Sequence, residues 1–251
     1  MLDWDDKMQR ECATSFIKPL ELELINMRNK EKICKAAVTI VTDDDNAENK
    51  DLYESWIKVL ETVVSRVELK FMSENVMKII QDLPGLKHPF PKRKRGNRLV
   101  FSVIKNVGEE GFNNEPLFNK LLMSICGDNN YKIRRDGCIF LKEYFKKHRA
   151  SIITSDRFKD VYLPLVIDFL NDEDLHIQID AIEAYLEIID CLTLEEVEAD
   201  FTPCVLNFLQ TENQAQIEIT QRIAELFGQI VYKLKDFDLH LKYQSEFIAY
   251  F

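Results

Sequence analysis

The chain has 251 residues, 46% of them hydrophobic, enough to bury a substantial core, and a formal net charge of −10. That charge argues against a nucleic-acid surface, because neutralising phosphates takes clustered, unopposed Lys and Arg. No run of eighteen apolar residues exists, and the acidic opening Met1-Leu2-Asp3-Trp4-Asp5-Asp6 lacks the basic-then-apolar order of a secretory signal. The expected setting is therefore cytoplasmic, with the nucleus as an alternative, and without membrane insertion.

Seven glycines in 251 residues is well under the roughly 7% of average usage, and long stretches without Gly or Pro predict long helices. Residues 15–27 and 30–41 read as a first helix pair, with Ile33, Ala36, Ala37 and Ile40 on one face. An acidic loop follows over 42–50. Leu52, Trp56, Val59, Leu60, Val63 and Val67 then mark an amphipathic helix ending before Lys70. No companion helix is evident in 42–50, so the pairing reads as shortened or broken there. Residues 73–83 form a helix stopped by Pro84-Gly85, and 96–107 form its partner, with Leu99, Val100, Val103, Ile104 and Val107 inward. The intervening 84–95 reads as a Pro-rich basic turn, its prolines setting an extended approach and its four bases beginning the next helix. Within it, Lys92-Arg93-Lys94-Arg95 resembles a short nuclear-import signal; the plainer reading is a solvated turn. Pairs at 115–126 with 130–148, 157–170 with 174–191 and 195–210 with 213–234 follow, then a last helix from near residue 238. It ends on Phe247, Ile248, Tyr250 and Phe251. A terminal solenoid repeat needs a polar outer face, so this helix is expected to dock on further repeats or on another chain.

One segment recurs. Leu163-Pro164-Leu165-Val166-Ile167-Asp168-Phe169-Leu170 runs through Asn171-Asp172-Glu173-Asp174 into Ile177-Gln178-Ile179-Asp180-Ala181. A second copy opens at Thr202-Pro203-Cys204-Val205 and passes Glu212-Asn213, and a looser one runs from Leu121 through Asp128-Asn129-Asn130 to Ile133-Arg134-Arg135. Pro164 and Pro203 are 39 residues apart, Ile133 and Ile177 44. A period of about 40 to 47 with two helices per unit is that of HEAT and armadillo arrays, whose helix pairs bury their apolar faces only by stacking on neighbours. The expected fold is all-α: a single solenoid of about five stacked antiparallel helix pairs over residues 1–251. Such a fold points to a binding scaffold.

The signatures of catalysis are missing. There is no phosphate-binding glycine loop, no GxSxG elbow and no HExxH. His88, His148, His176 and His240 fall in different repeats, and Glu195, Glu196, Glu198 and Asp200 sit where acids favour a helix N-terminus. Cys12, Cys34, Cys126, Cys138, Cys191 and Cys204 show no CxxC and are expected to be reduced packing residues. No catalytic, metal or cofactor-binding residue is expected. The better candidates are the turns. In a solenoid, turns of one type align, so Asp128, Asn129 and Asn130, then Asn171, Asp172, Glu173 and Asp174, then Glu212 and Asn213 would form an acidic ridge for a protein partner. Asp and Asn also cap helices, which is the competing reading.

Leu163-Pro164, Asp172, Ile177 and Ala181, together with the step Ile133-Arg134, resemble the HEAT unit of the regulatory A (scaffold) subunit family of type 2A protein phosphatases. The resemblance covers about residues 30–251. It implies a non-catalytic subunit that docks a type 2A-like serine/threonine phosphatase catalytic subunit and its partners; the alternatives are a structural HEAT component of a large assembly or an importin-like transport adaptor. In that family an arginine and a turn aspartate form a ladder between repeats. Here Asp128 and Arg134 keep both members, whereas Gln178 and Glu218 replace the arginine, so the ladder is expected to be interrupted.

Overall fold

Apolar side chains repeating at three and four residues give the long helices their buried stripes, and every regular element among the described residues is helical. The computed structural model describes residues 6–43, 49–107, 115–154 and 157–197, with a few isolated positions after 197. Two compact units divide the chain, Met1–Ile133 and Arg134–Phe251.

The first unit opens with α1 (Asp6–Glu21), α2 (Met27–Thr42) and α3 (Lys50–Val64). The helix expected over 15–27 ends six residues early. Glu23 adopts a left-handed φ of 55°, and Asn26 then caps α2 by accepting the Asn29 N–H at 3.0 Å. The Glu23 carboxylate is gripped by Lys30 and, at 3.2 Å, by Arg66.

Helix α3 packs against α1, α2 and α6 (Phe90–Val107). This explains why its buried set is wider than one stripe, adding Tyr53, Ile57 and Val64 to the expected residues. Both α1 and α2 pack on α3, α1 at least as extensively as α2. Periodicity alone does not say which neighbours a helix packs against.

Next come α4 (Leu69–Met72), a π turn (Ser73–Met77) and α5 (Lys78–Ile80). The four bases lie in the helix expected to begin with them, and because α6 starts at Phe90 the turn expected over 84–95 ends there. Pro91 falls in the first turn, where a missing N–H removes no helical bond, and the Pro89 carbonyl accepts from Lys92 and Arg93. Gly96 lets α6 cross the 83–84 backbone closely: a Cβ there would stand 2.5 Å from the Leu83 Cβ and 2.9 Å from the Pro84 nitrogen. Helix α7 (Glu115–Cys126) buries Leu121, Leu122, Ile125 and Cys126.

Most of α8 (Tyr131–Ile152) belongs to the second unit, and it breaks at His148, whose φ of −118° and ψ of 19° leave the helical range. A π turn (Phe158–Tyr162) leads into α9 (Leu163–Leu170), which packs on α10 (Leu175–Leu186). The Tyr162 ring meets Phe145 edge-on at 5.9 Å. Ile177, Ala181 and Tyr185, four residues apart, are all fully buried, one stripe facing inward. A 3-10 turn (Ile189–Cys191) and a short α11 (Leu194–Glu196) complete the described elements. The helix pair expected over 195–234, with Glu212, Asn213 and Cys204, and the helix ending at Phe251 lie outside the described residues. The described cysteines are free thiols; Cys34, Cys126 and Cys138 are buried, and burial pushes the Cys34 thiol up to about 12.

Candidate docking ridge at the helix turns

The two described turns of the expected ridge are built alike. Between α7 and α8, Asp128 Oδ1 accepts the Asn130 N–H at 2.8 Å and Asn130 Oδ1 accepts the Lys132 N–H at 3.0 Å. Between α9 and α10, Asp172 Oδ1 accepts the Asp174 N–H at 2.9 Å, and Asp174 Oδ1 accepts from His176 and Ile177 at 3.0 and 3.3 Å. Short acids and amides thus satisfy the donors that a helix start leaves open.

Each turn aspartate is also clamped by an arginine. Arg93 Nε and Nη2 donate to Asp128 Oδ2 and Oδ1 at 3.0 and 3.1 Å, Nη1 donates to the His88 carbonyl at 3.0 Å, and Nη2 reaches Asn129 Oδ1 at 3.3 Å. Arg134 Nε and Nη2 donate to Asp172 Oδ2 and Oδ1 at 2.7 and 3.0 Å, with Glu173 Oε1 3.2 Å from Nη2. Both are planar two-bond forks. The hydrogen bonds to Asp172 raise the Arg134 pKa further above its ordinary value.

This geometry assigns partners to the ladder residues read from sequence. Asp128 and Arg134 belong to two different pairs, the first within one unit and the second within the other, and the arginine that serves Asp128 comes from the basic run. Arg93 is 9% exposed, while Lys94 is exposed and Lys92 and Arg95 are half-buried. Where the arginine is replaced, the Gln178 amide donates to the Asp172 carbonyl of its own turn.

The candidate residues therefore divide by access. Asp128 is 1% exposed and lies inside the fold. Asn129, Asn171 and Glu173 are exposed; Asn130, Arg134, Asp172 and Asp174 are half-buried. What the surface of these turns offers is amide and carboxylate hydrogen bonding. Among the described residues no three His, Cys, Asp or Glu side chains gather as a metal ion would require, and no helix is long and apolar enough to cross a membrane.

Sequence reasoning missed a further set of ties along the helices. In the first unit Arg10 reaches Asp51 at 3.2 Å, Arg98 clamps Glu54, and Ser102 donates to Glu61 at 2.8 Å. In the second, Arg135 meets Asp180 at 2.8 Å, Lys142 meets Glu183 at 2.7 Å, and Arg149 meets Asp190 at 3.1 Å. The partners are 41, 44, 41, 45, 41 and 41 residues apart. A scan for donors and acids offset by the repeat length would have found them.

The chain matches no protein-family profile and no curated protein. Among solved structures it is similar to one described as the crystal structure of an engineered protein, at 13% identity and a TM-score of 0.49 over 92% of this chain and 94% of that one. A likeness of that degree says nothing about role.

Proposed function

We propose that the chain is a non-catalytic regulatory or scaffolding subunit, built as a HEAT-type solenoid of helix pairs, that docks a type 2A-like serine/threonine protein phosphatase catalytic subunit and positions its substrates. The observation that carries this reading is the recurrence of one kind of tie: a basic side chain on one helix reaches an acid about forty residues away in sequence, again and again, in both units. A stack of equivalent helix pairs accounts for that spacing, since each pair then meets the next in the same register.

The phosphatase itself comes from the sequence resemblance. Within the scaffold family, Asp51–Glu61, Tyr131–Arg135 and Tyr162–Asp190 look like protein phosphatase 4 regulatory subunit 4. Mechanistically, such a subunit does no bond chemistry. It raises the effective concentration of one partner at another by holding both.

The test mixes the purified chain with purified type 2A, 4 and 6 catalytic subunits and follows sedimentation and phosphopeptide hydrolysis. One catalytic subunit should form a stoichiometric complex, and the chain alone should show no turnover. Absence of a complex with all three, or turnover by the chain alone that a single substitution abolishes, overturns the proposal.

A further inference from the structure

We infer that the α1–α2 turn and the adjoining face of α2 form a docking surface for an acidic peptide segment that carries apolar anchors. This deepens the docking reading above by naming a class of partner.

Three observations converge on the surface. First, Leu22 and Leu24 are 55% and 73% exposed and Met27 is exposed beside them, three large apolar side chains within six residues. Second, the backbone that presents them is held in an unfavourable shape. Glu23, between the leucines, has φ 55°, a region that costs a non-glycine residue of order 1 kcal/mol. Its two ion pairs, to Lys30 and to Arg66 beyond the end of α3, hold it there. Third, Arg28, Lys32 and Lys35 follow at spacings of four and three along α2, so they share one face, and all are exposed. Among the described residues none of the three meets a carboxylate; Lys35 lies over the Phe71 ring at 5.4 Å.

The charge pattern of α2 runs against helix stability. Its first turn holds no acid, although the positive end of the helix dipole favours acids there and disfavours bases. Arg28 and Lys32 add to that potential. Glu31 on the same helix and the Glu23–Lys30 pair offset part of that potential, and an anionic ligand would relieve the remainder.

A peptide fits better than an extended polyanion. The chain as a whole carries −10, which repels a bilayer or nucleic acid approaching broadly but touches a short segment little beyond the Debye length of roughly 8 Å. Exposed Glu21 and Glu23 flank Leu22 directly, where a membrane surface would press carboxylates against lipid headgroups. A peptide can place acids on the bases and an apolar side chain on the ledge.

The experiment uses the full chain and a fluorescent synthetic peptide alternating Asp-Glu pairs with Leu and Phe, read by anisotropy. The triple variant Arg28→Glu, Lys32→Glu, Lys35→Glu should weaken binding at least about tenfold and flatten its dependence on salt. Leu24→Ser with Met27→Ser should weaken it severalfold and leave the salt dependence unchanged. A charge-matched variant, Lys7→Glu, Lys50→Glu, Lys58→Glu, should stay within about twofold of the parent. The inference is overturned by failure of the peptide to bind, by equal loss in the charge-matched variant, or by tighter association with phosphatidylserine vesicles or single-stranded DNA than with the peptide. None of these outcomes depends on a phosphatase, so the surface and the proposed function fail separately.

Discussion

Removing the Asp128 carboxylate tests whether the Arg93 fork holds the α7–α8 turn to α6. Asp128→Ala deletes two bonds from Arg93 and one from the Asn130 N–H, and it strands a guanidinium whose side chain is 10% exposed. Breaking one partner of a buried pair costs about 3–5 kcal/mol because the other charge stays uncompensated, and the lost turn cap adds about 1 kcal/mol. The His88 carbonyl and Asn129 remain on Arg93, which places the expected loss near the lower end of that sum, about 4 kcal/mol. Arg93→Met combined with Asp128→Ala should recover much of that loss, since no charge is left buried. As a reference, Asp51→Ala breaks a pair whose members are 39% and 78% exposed, and should cost at most about 1 kcal/mol. Urea titration followed by circular dichroism gives the totals. Hydrogen exchange of the α6 and α8 amides assigns them, which matters because two units need not melt together. A loss under about 1 kcal/mol for Asp128→Ala, equal to that of Asp51→Ala, would refute burial as the source of the strength of this pair.

Asn97 is 1% exposed and neither its amide oxygen nor its nitrogen has a hydrogen-bond partner; Asn97→Leu should raise stability by about 1 kcal/mol in the same titration. Ala181→Asp places a carboxylate at a fully buried position and should cost several kcal/mol or more, so an unchanged melting curve would show that α10 faces the other way. Hydrogen bonds from Arg98 hold the Glu54 carboxyl below its ordinary range. Its contribution is therefore complete above the unfolded glutamate value of about 4.3 and is lost as pH falls through the lower folded value. Glu54→Gln should shrink the acid-side drop in stability while leaving its slope near neutrality unchanged.

Much of the helical content was legible because apolar residues recur at three and four with few breakers between them. The inward stripe Ile177, Ala181, Tyr185 lies where its spacing puts it. Three things were hidden. The phase of pairing was hidden because α3 buries residues against α1, α2 and α6 together, and no local signal ranks those neighbours. The start of α6 was hidden because Pro89 and Pro91 read as breakers, whereas a proline in a first turn is compatible with a helix. The role of Arg93 was hidden because it stands among three other bases that look alike in sequence; its partner is 35 residues on. At the turns, capping residues were identifiable by type, but whether a given acid faces water or an arginine depends on tertiary contact. That is why Asp128 reads as surface and lies within the fold.

The side-chain ties described above link residues at most 45 positions apart, and this bears on how the chain is made. The two members of such a tie leave the ribosome close together, so each cross-link can close while downstream sequence is still untranslated. Loop-closure entropy for segments of this length is modest, growing only with the logarithm of length, and contacts of limited range favour early, stepwise consolidation. Nascent chains truncated after Asp190 should already protect Arg149 and the α8 amides, whereas truncation before Asp172 should leave Arg134 without its carboxylate and the start of α8 open to protease.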